Sequence, residues 1–145
     1  MKQITIHNKE EMANFAKKIA MESRVGDIIG LRGTLGVGKS FFAKNFINSL
    51  MEKKVEVLSP TFNLVYSYQT KICEIFHFDL YRIKNINELE NIGFFESIAN
   101  GISLIEWPEI AEEFLQKNYL EITIMTDRNL ENEERKILLN HHNKD

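Results

Sequence analysis

Residues 33 to 40 combine the residue types and the spacing that bind phosphate. They read Gly-Thr-Leu-Gly-Val-Gly-Lys-Ser, which fits the pattern G-x-x-x-x-G-K-[ST]. Glycines let the backbone adopt positive φ and turn its N–H groups toward phosphate oxygens, while Lys39 supplies a mobile positive charge and Ser40 a hydroxyl for Mg²⁺. We therefore predict a nucleoside triphosphate site. The residues predicted to line it are Gly33, Thr34, Leu35, Gly36, Val37, Gly38, Lys39, Ser40 and Phe41.

Two carboxylates follow apolar runs and are candidates for positioning Mg²⁺ and the attacking water. Glu106 closes the run that begins at Ile102, and Asp79 comes just past the run from Ile72 to Phe78. Nucleotide hydrolysis requires an acidic group near the metal, and the carboxyl edge of a parallel sheet is where neighbouring strands deliver one. The alternatives are an acid that merely ends a strand at Glu106 and a surface turn that joins Asp79 to Arg82.

Three further residues lie beside these motifs. Thr61 follows Pro60, which stiffens the turn, and is predicted to respond to the γ-phosphate; the alternative is a plain turn that leads into a strand. Trp107 is predicted at the rim of the site, over the nucleotide or against a partner, with core packing as the alternative. His77 is interpreted as a half-buried strand residue with one hydrogen-bond partner rather than a base. The predicted catalytic residues are Lys39, Thr61, Asp79 and Glu106, and the predicted metal ligands are Ser40, Asp79 and Glu106.

Hydrophobic periodicity predicts the elements that position these residues. A short apolar strand precedes the glycine loop and a helix with core-like spacing follows it, which disfavours a glycine-rich turn without ligand. The whole pattern predicts an α/β fold with a mostly parallel central sheet, an inserted antiparallel hairpin and helices on both faces. The predicted strands are 2–7, 27–31, 55–58, 62–68, 72–78, 102–106, 119–125 and 135–139, the last at an edge, and the predicted helices are 9–23, 40–51, 87–99 with an interruption at Gly93, and 108–115.

Length and composition indicate one ordinary globular domain. The chain has 145 residues, from which we predict a single domain over 1–140 and a polar tail over 141–145, with fraying from Asn140 onward. With 18 basic and 21 acidic residues the net charge is −3, so the domain has no bulk attraction for nucleic acid, and any RNA would be held by a partner. Cys73 is the only cysteine, which excludes an intramolecular disulfide. Without a leader or a membrane-length apolar run, the expected location is the cytoplasm, with no membrane association.

Four motifs in this order resemble the TsaE (YjeE) family of bacterial P-loop ATPases, over about Gly26 to Ile124. They are the loop 33–40, Ser59-Pro60-Thr61-Phe62, His77-Phe78-Asp79-Leu80-Tyr81-Arg82 and Leu104-Ile105-Glu106-Trp107-Pro108-Glu109. The resemblance implies a P-loop NTPase fold that binds ATP with Mg²⁺ and hydrolyses it. It also implies support for forming threonylcarbamoyladenosine next to the anticodon of tRNA, in a complex with the TsaD and TsaB proteins, which carry out the transfer and through which the tRNA is contacted.

The resemblance places the family's site residues on this chain, with two departures. It places the phosphate lysine on Lys39, the hydroxyl ligand on Ser40, the threonine on Thr61, the two acids on Asp79 and Glu106, and the tryptophan on Trp107. Ser40 stands where threonine is more frequent, which keeps the oxygen, and Thr34 stands where an acid is common. The family's basic residue near the C-terminus matches either Arg128 or Arg135, and the sequence does not decide between them.

Two other functions share the glycine loop. A small-molecule or nucleotide kinase needs clustered arginines around an acceptor, and the five arginines of this chain are dispersed along it. A scaffold that binds nucleotide without chemistry would not need the two acids. Because no arginine is clearly placed to stabilise the transition state, we expect slow hydrolysis by the isolated protein and coupling to its partners.

Overall fold

The structure is a computed structural model and describes residues 1–34, 36–60, 63–115, 119–126 and 133–142. Leu35, Thr61 and Arg128, which the sequence analysis singled out, lie outside these ranges. The strands are β1 (Lys2–Ile6), β2 (Ile28–Arg32), β3 (Val65–Gln69), β4 (Glu74–Asp79), β5 (Ile102–Glu106), β6 (Tyr119–Met125) and β7 (Arg135–His142). The helices are α1 (Lys9–Glu22), α2 (Lys39–Leu50), α3 (Ile86–Asn91), α4 (Phe94–Asn100) and a 3₁₀ helix (Pro108–Phe114).

The strands form one seven-stranded sheet in the order β1-β7-β6-β2-β5-β4-β3. The four strands β6, β2, β5 and β4 run parallel, and they carry the predicted hairpin partner β3 at one edge. The antiparallel pair β7 and β1 completes the other edge. The predicted α/β architecture with its inserted hairpin is therefore confirmed, and the carboxyl ends of the parallel strands meet at one edge of the sheet.

Both faces of the sheet are covered. Phe42 and Phe46 of α2 pack with α1 and with one set of strand side chains that includes Leu104. Phe94 of α4 packs with the opposite set, which includes Ile105. Successive strand residues point to opposite faces, so the near-continuous apolar run of β5 is what a strand with two buried faces requires. Among the described residues no helix is long and apolar enough to span a membrane.

Three local predictions were wrong. Residues 55–58 form no strand; the Asn48 side chain instead bonds the N–H and the carbonyl of Val55, at 2.8 and 3.2 Å. The segment after Pro108 is a 3₁₀ helix with a non-helical Ala111 rather than an α-helix. β7 lies between β1 and β6 rather than at an edge, and it continues to His142, so the predicted fraying from Asn140 does not hold over 140–142.

Candidate functional site

The glycine loop joins the buried strand β2 to the helix α2. Gly33, Gly36 and Gly38 all have positive φ, at 151°, 78° and 120°. A Cβ at Gly33 would lie 2.7 Å from the Ile124 carbonyl oxygen, so this first turn of the loop accepts only glycine. The Val37 N–H donates to the Thr34 carbonyl at 3.3 Å, and the Val37 side chain is buried. The sequence motif therefore folds as a tight backbone turn between strand and helix.

The first turn of α2 carries no side-chain cap. Asn8 caps α1 and Asn85 caps α3, each through a side-chain oxygen that accepts a backbone N–H. α2 instead begins after Gly38, with no capping side chain and no acidic residue in its first turn. Its first N–H groups and the positive end of its dipole are thus directed at the loop without a competing protein acceptor among the described residues. This arrangement suits an anion such as a phosphate group.

Lys39 is the first residue of α2 and contacts one ring of an aromatic pair. Its side chain is buried, and its Nζ lies 4.4 Å from the centroid of the Trp107 ring. The Tyr81 ring packs on Trp107 with centroids 4.7 Å apart and is itself 61% exposed. Trp107 has φ 61° and ψ 51°, a left-handed conformation that is strained for a residue with a Cβ. Trp107 therefore lies beside Lys39, and it also packs against the core cluster that contains Phe94 and Ile105, so the rim position and the core-packing alternative both describe part of its surroundings.

The two predicted acids lie on neighbouring strands at the loop edge of the sheet. Glu106 on β5 is paired with Leu31 of β2, two residues before the loop, and with Asp79 of β4 on its other side. Paired residues share a face, so both carboxylates lie on the face that α2 covers. Both are buried, at 6% exposure for Glu106 and 8% for Asp79. The Asp79 Oδ1 accepts the Tyr81 N–H at 3.0 Å.

The predicted burial of His77 was wrong, and its predicted single hydrogen-bond partner was found. Its side chain is fully buried rather than half-buried, with 1% of the residue exposed. It has the single predicted partner, and that partner is Glu106: the His77 Nε2 lies 2.8 Å from the Glu106 Oε2. The His77 Nδ1 is buried without a hydrogen bond to any described residue. A candidate site carboxylate is thus held from behind by a buried imidazole.

The remaining predicted residues are at the loop or on the first turn of α2. Ser40 is exposed at the start of α2, and Phe41 is half-buried against the core between the helices and the sheet. Within the described part of the chain no three His, Cys, Asp or Glu side chains form a metal cluster. The donors present are a hydroxyl and two carboxylates, which fit Mg²⁺ held partly by nucleotide phosphates and water rather than by a protein cage.

One arginine reaches the loop from the far end of the sequence. The Arg135 Nε on β7 donates to the Val37 carbonyl at 2.9 Å, so β7 is tied to the loop backbone. Arg32, which ends β2, is instead held between Glu121 at 3.2 Å and Glu109 at 3.5 Å. From the sequence, Arg135 was left unassigned because Arg128 matched the family's basic residue equally well, and its contact with Val37, 98 positions away, was not predicted.

The His77–Glu106 pair was not predicted from the sequence, although a signal for it was present. His77 and Asp79 are two residues apart on one strand and therefore share a face. Once β4 and β5 are taken as parallel neighbours that both end in an acid, His77 falls diagonally behind Glu106.

A separate cavity of about 380 Å³ lies at the opposite end of the sheet, between α1 and the start of β2, and none of the predicted site residues lines it.

A comparison with protein families decides the membership. The family model described as "Threonylcarbamoyl adenosine biosynthesis protein TsaE" matches residues 6–137. The chain belongs to the TsaE family. A TsaE-family protein of Rickettsia prowazekii, named "tRNA threonylcarbamoyladenosine biosynthesis protein TsaE", is 39% identical over 120 residues, which cover 83% of each chain. A Bacillus subtilis protein of the same name is 36% identical over 118 residues, which cover 81% of this chain and 73% of the relative.

A solved TsaE-like structure has the same fold. The crystal structure of Bacillus subtilis YdiB matches with a TM-score of 0.72 and 28% sequence identity, over 97% of this chain and 86% of that one. The predicted P-loop NTPase fold and the predicted TsaE membership are therefore confirmed. The roles of individual side chains in the TsaE site stay predictions.

Proposed function

We propose that this TsaE-family chain binds ATP with Mg²⁺ at the glycine loop, hydrolyses it slowly, and thereby supports the threonylcarbamoyl modification of tRNA adenosine next to the anticodon. The observation that carries the proposal is the convergence of an uncapped helix start and two buried acids at one edge of the sheet. The uncapped helix start would bind phosphate, and the two acids would position Mg²⁺ and water for hydrolysis. The pathway assignment rests on the family and on the names of the relatives.

Each residue of the site has a proposed task. The loop N–H groups and Lys39 bind the phosphates, which requires Lys39 to leave the Trp107 ring. Ser40 and one carboxylate hold Mg²⁺, which when bound neutralises charge on the phosphate oxygens. The other carboxylate orients the attacking water. Trp107 lies at the rim, against the nucleotide or a partner. Thr61, outside the described residues, is proposed to respond to the γ-phosphate.

A kinase function is disfavoured by where the arginines lie. Phosphoryl transfer to a bound acceptor needs several guanidinium groups around the transferred phosphate. Arg32 is engaged by Glu121 of β6 and by Glu109 of the 3₁₀ helix, and Arg135 is bonded to the loop backbone. Neither is arranged to hold an acceptor. Because Arg32 and Arg135 are engaged elsewhere, neither stabilises the transition state, which supports slow ATP hydrolysis by the isolated chain.

We further propose that TsaD and TsaB are the partners, that tRNA is met only through their complex, and that the protein works in the cytoplasm. The net charge of −3 supports indirect contact, because the domain as a whole does not attract a phosphate backbone. If the complex supplies what the isolated site lacks, adding TsaD and TsaB will accelerate ATP hydrolysis. Equal rates with and without them would contradict this coupling.

The proposed function is tested by measuring ATP affinity and turnover for two site variants and one control. Lys39→Ala should lose ATP affinity, while Glu106→Gln should keep affinity and lose turnover. Glu112→Gln removes the same charge from an exposed position on the 3₁₀ helix and should behave as the unaltered protein. In a reconstituted reaction with TsaD, TsaB and tRNA, both site variants should fail to support modification. Wild-type turnover in Glu106→Gln would refute the assignment of the acid.

A further inference from the structure

We propose that His77 is a positioning residue that holds the Glu106 carboxylate in its working orientation, an inference that rests on the proposed ATPase function. His77 does not reach the nucleotide in this scheme. It acts only through the Nε2 to Oε2 contact of 2.8 Å. The contact is buried on both sides, with 1% of His77 and 6% of Glu106 exposed, so water does not compete for it.

The strand register gives this contact its direction. Asp79 pairs with Glu106 and His77 pairs with Leu104. His77 therefore lies two residues further from the loop edge than Glu106, on the same face of the sheet. The imidazole therefore approaches the carboxylate from the interior of the sheet. It engages Oε2, so the other carboxylate oxygen, Oε1, is the one proposed to face water or metal.

Only one nitrogen of His77 is used. A carboxylate can only accept, so Nε2 must carry the proton of this bond. Nδ1 is buried and makes no hydrogen bond within the described residues. A side chain that supplies a donor at the Nε2 position alone should therefore replace His77 in function. A side chain that supplies a donor only at the Nδ1 position should not.

This asymmetry yields a matched pair of variants. His77→Gln places its amide nitrogen near the former Nε2, whereas His77→Asn is one carbon shorter and places it near the former Nδ1. Removing the support of an acid at a metal site typically costs about 10- to 100-fold in activity. We expect His77→Asn to lose kcat by about this factor with unchanged ATP affinity, and His77→Gln to recover most of it.

A double-mutant comparison separates positioning from general damage to the fold. If His77 acts only through Glu106, then His77→Asn should cost no further turnover once Glu106→Gln is present, because there is no longer a carboxylate to hold. An additive loss in the double variant, or a loss of ATP affinity in His77→Asn, would overturn the inference.

Nitrogen NMR of the histidine rings gives a readout that does not depend on turnover. In the full-length protein the proton of His77 should be on Nε2, and its resonance should shift in Glu106→Gln. A proton on Nδ1, or no shift, would overturn the inference even if His77→Asn failed to fold. Absence of ATP hydrolysis by the unaltered protein would overturn the proposed function and this inference with it. Normal hydrolysis by His77→Asn would overturn only the inference.

Discussion

Replacing Trp107 by leucine should strengthen phosphate binding at the loop. In the structure the Lys39 Nζ rests 4.4 Å from the centre of the Trp107 ring, and Lys39 must leave this ring before it can contact a phosphate. A cation–π contact contributes about 0.5–1 kcal/mol when exposed and about 2 kcal/mol when desolvated. Because Lys39 is only 6% exposed, the upper part of that range applies.

The expected change in affinity follows from that free energy. Releasing about 1–2 kcal/mol corresponds to about 5- to 30-fold tighter binding. Leucine keeps the Cβ, so the left-handed backbone at this position remains equally strained and the comparison isolates the ring. Trp107→Phe should fall between the two, because the smaller ring attracts a cation less strongly.

Inorganic tripolyphosphate is the suitable ligand, because it has no base that could stack on Trp107. Calorimetric titration should rank the affinities for it as Trp107→Leu above Trp107→Phe above the unaltered protein. Tyr81→Leu removes the neighbouring exposed ring while leaving Lys39 on Trp107, and should change affinity little. Weaker or unchanged binding by Trp107→Leu would refute the interpretation of the contact as a resting position that competes with phosphate.

Three further changes probe the loop and the sheet. Gly33→Ala should lower the free energy of unfolding by about 1–3 kcal/mol and weaken ATP binding, because the added Cβ would crowd the Ile124 carbonyl oxygen. Unaltered denaturation and titration curves would contradict this crowding. Arg135→Met keeps the aliphatic stem but removes the donor to Val37, so ATP affinity should fall in the same titration, and full affinity would show that the contact does not support the loop. Burial and nearby carboxylates raise the pKa of Tyr119 to about 12. The free energy of unfolding should therefore fall as the pH rises from about 10 to 12, because the unfolded chain loses this proton first. Tyr119→Phe should lessen that fall, and an identical pH profile in the variant would contradict the raised pKa.

The central part of the fold could be predicted because its signals are local. β5 and β6 have the predicted bounds, since continuous or alternating apolar runs with clear ends specify them. The glycine loop was predicted from residue types and their spacing, and the break at Gly93, which separates α3 from α4 at φ 71°, from residue type alone. The placement of both acids at one edge followed from the parallel arrangement of the strands that carry them.

The wrong and missed predictions concern contacts that hydrophobic periodicity does not specify. The run around Val55 has residues that are frequent in strands. The Asn48 side chain, however, makes the hydrogen bonds to the Val55 N–H and carbonyl that a neighbouring strand would make. The interior position of β7 depends on β1, which lies at the other end of the chain. The His77–Glu106 contact joins strands through a register that periodicity does not specify.

The most direct test is a crystal structure of the protein grown with Mg²⁺ and a non-hydrolysable ATP analogue. We predict that the loop N–H groups bond the β- and γ-phosphates, that the Lys39 Nζ moves from the Trp107 ring to a phosphate, and that Asp79 and Glu106 face the magnesium or its waters. A nucleotide bound elsewhere, or both carboxylates turned away from the metal, would contradict the proposed site.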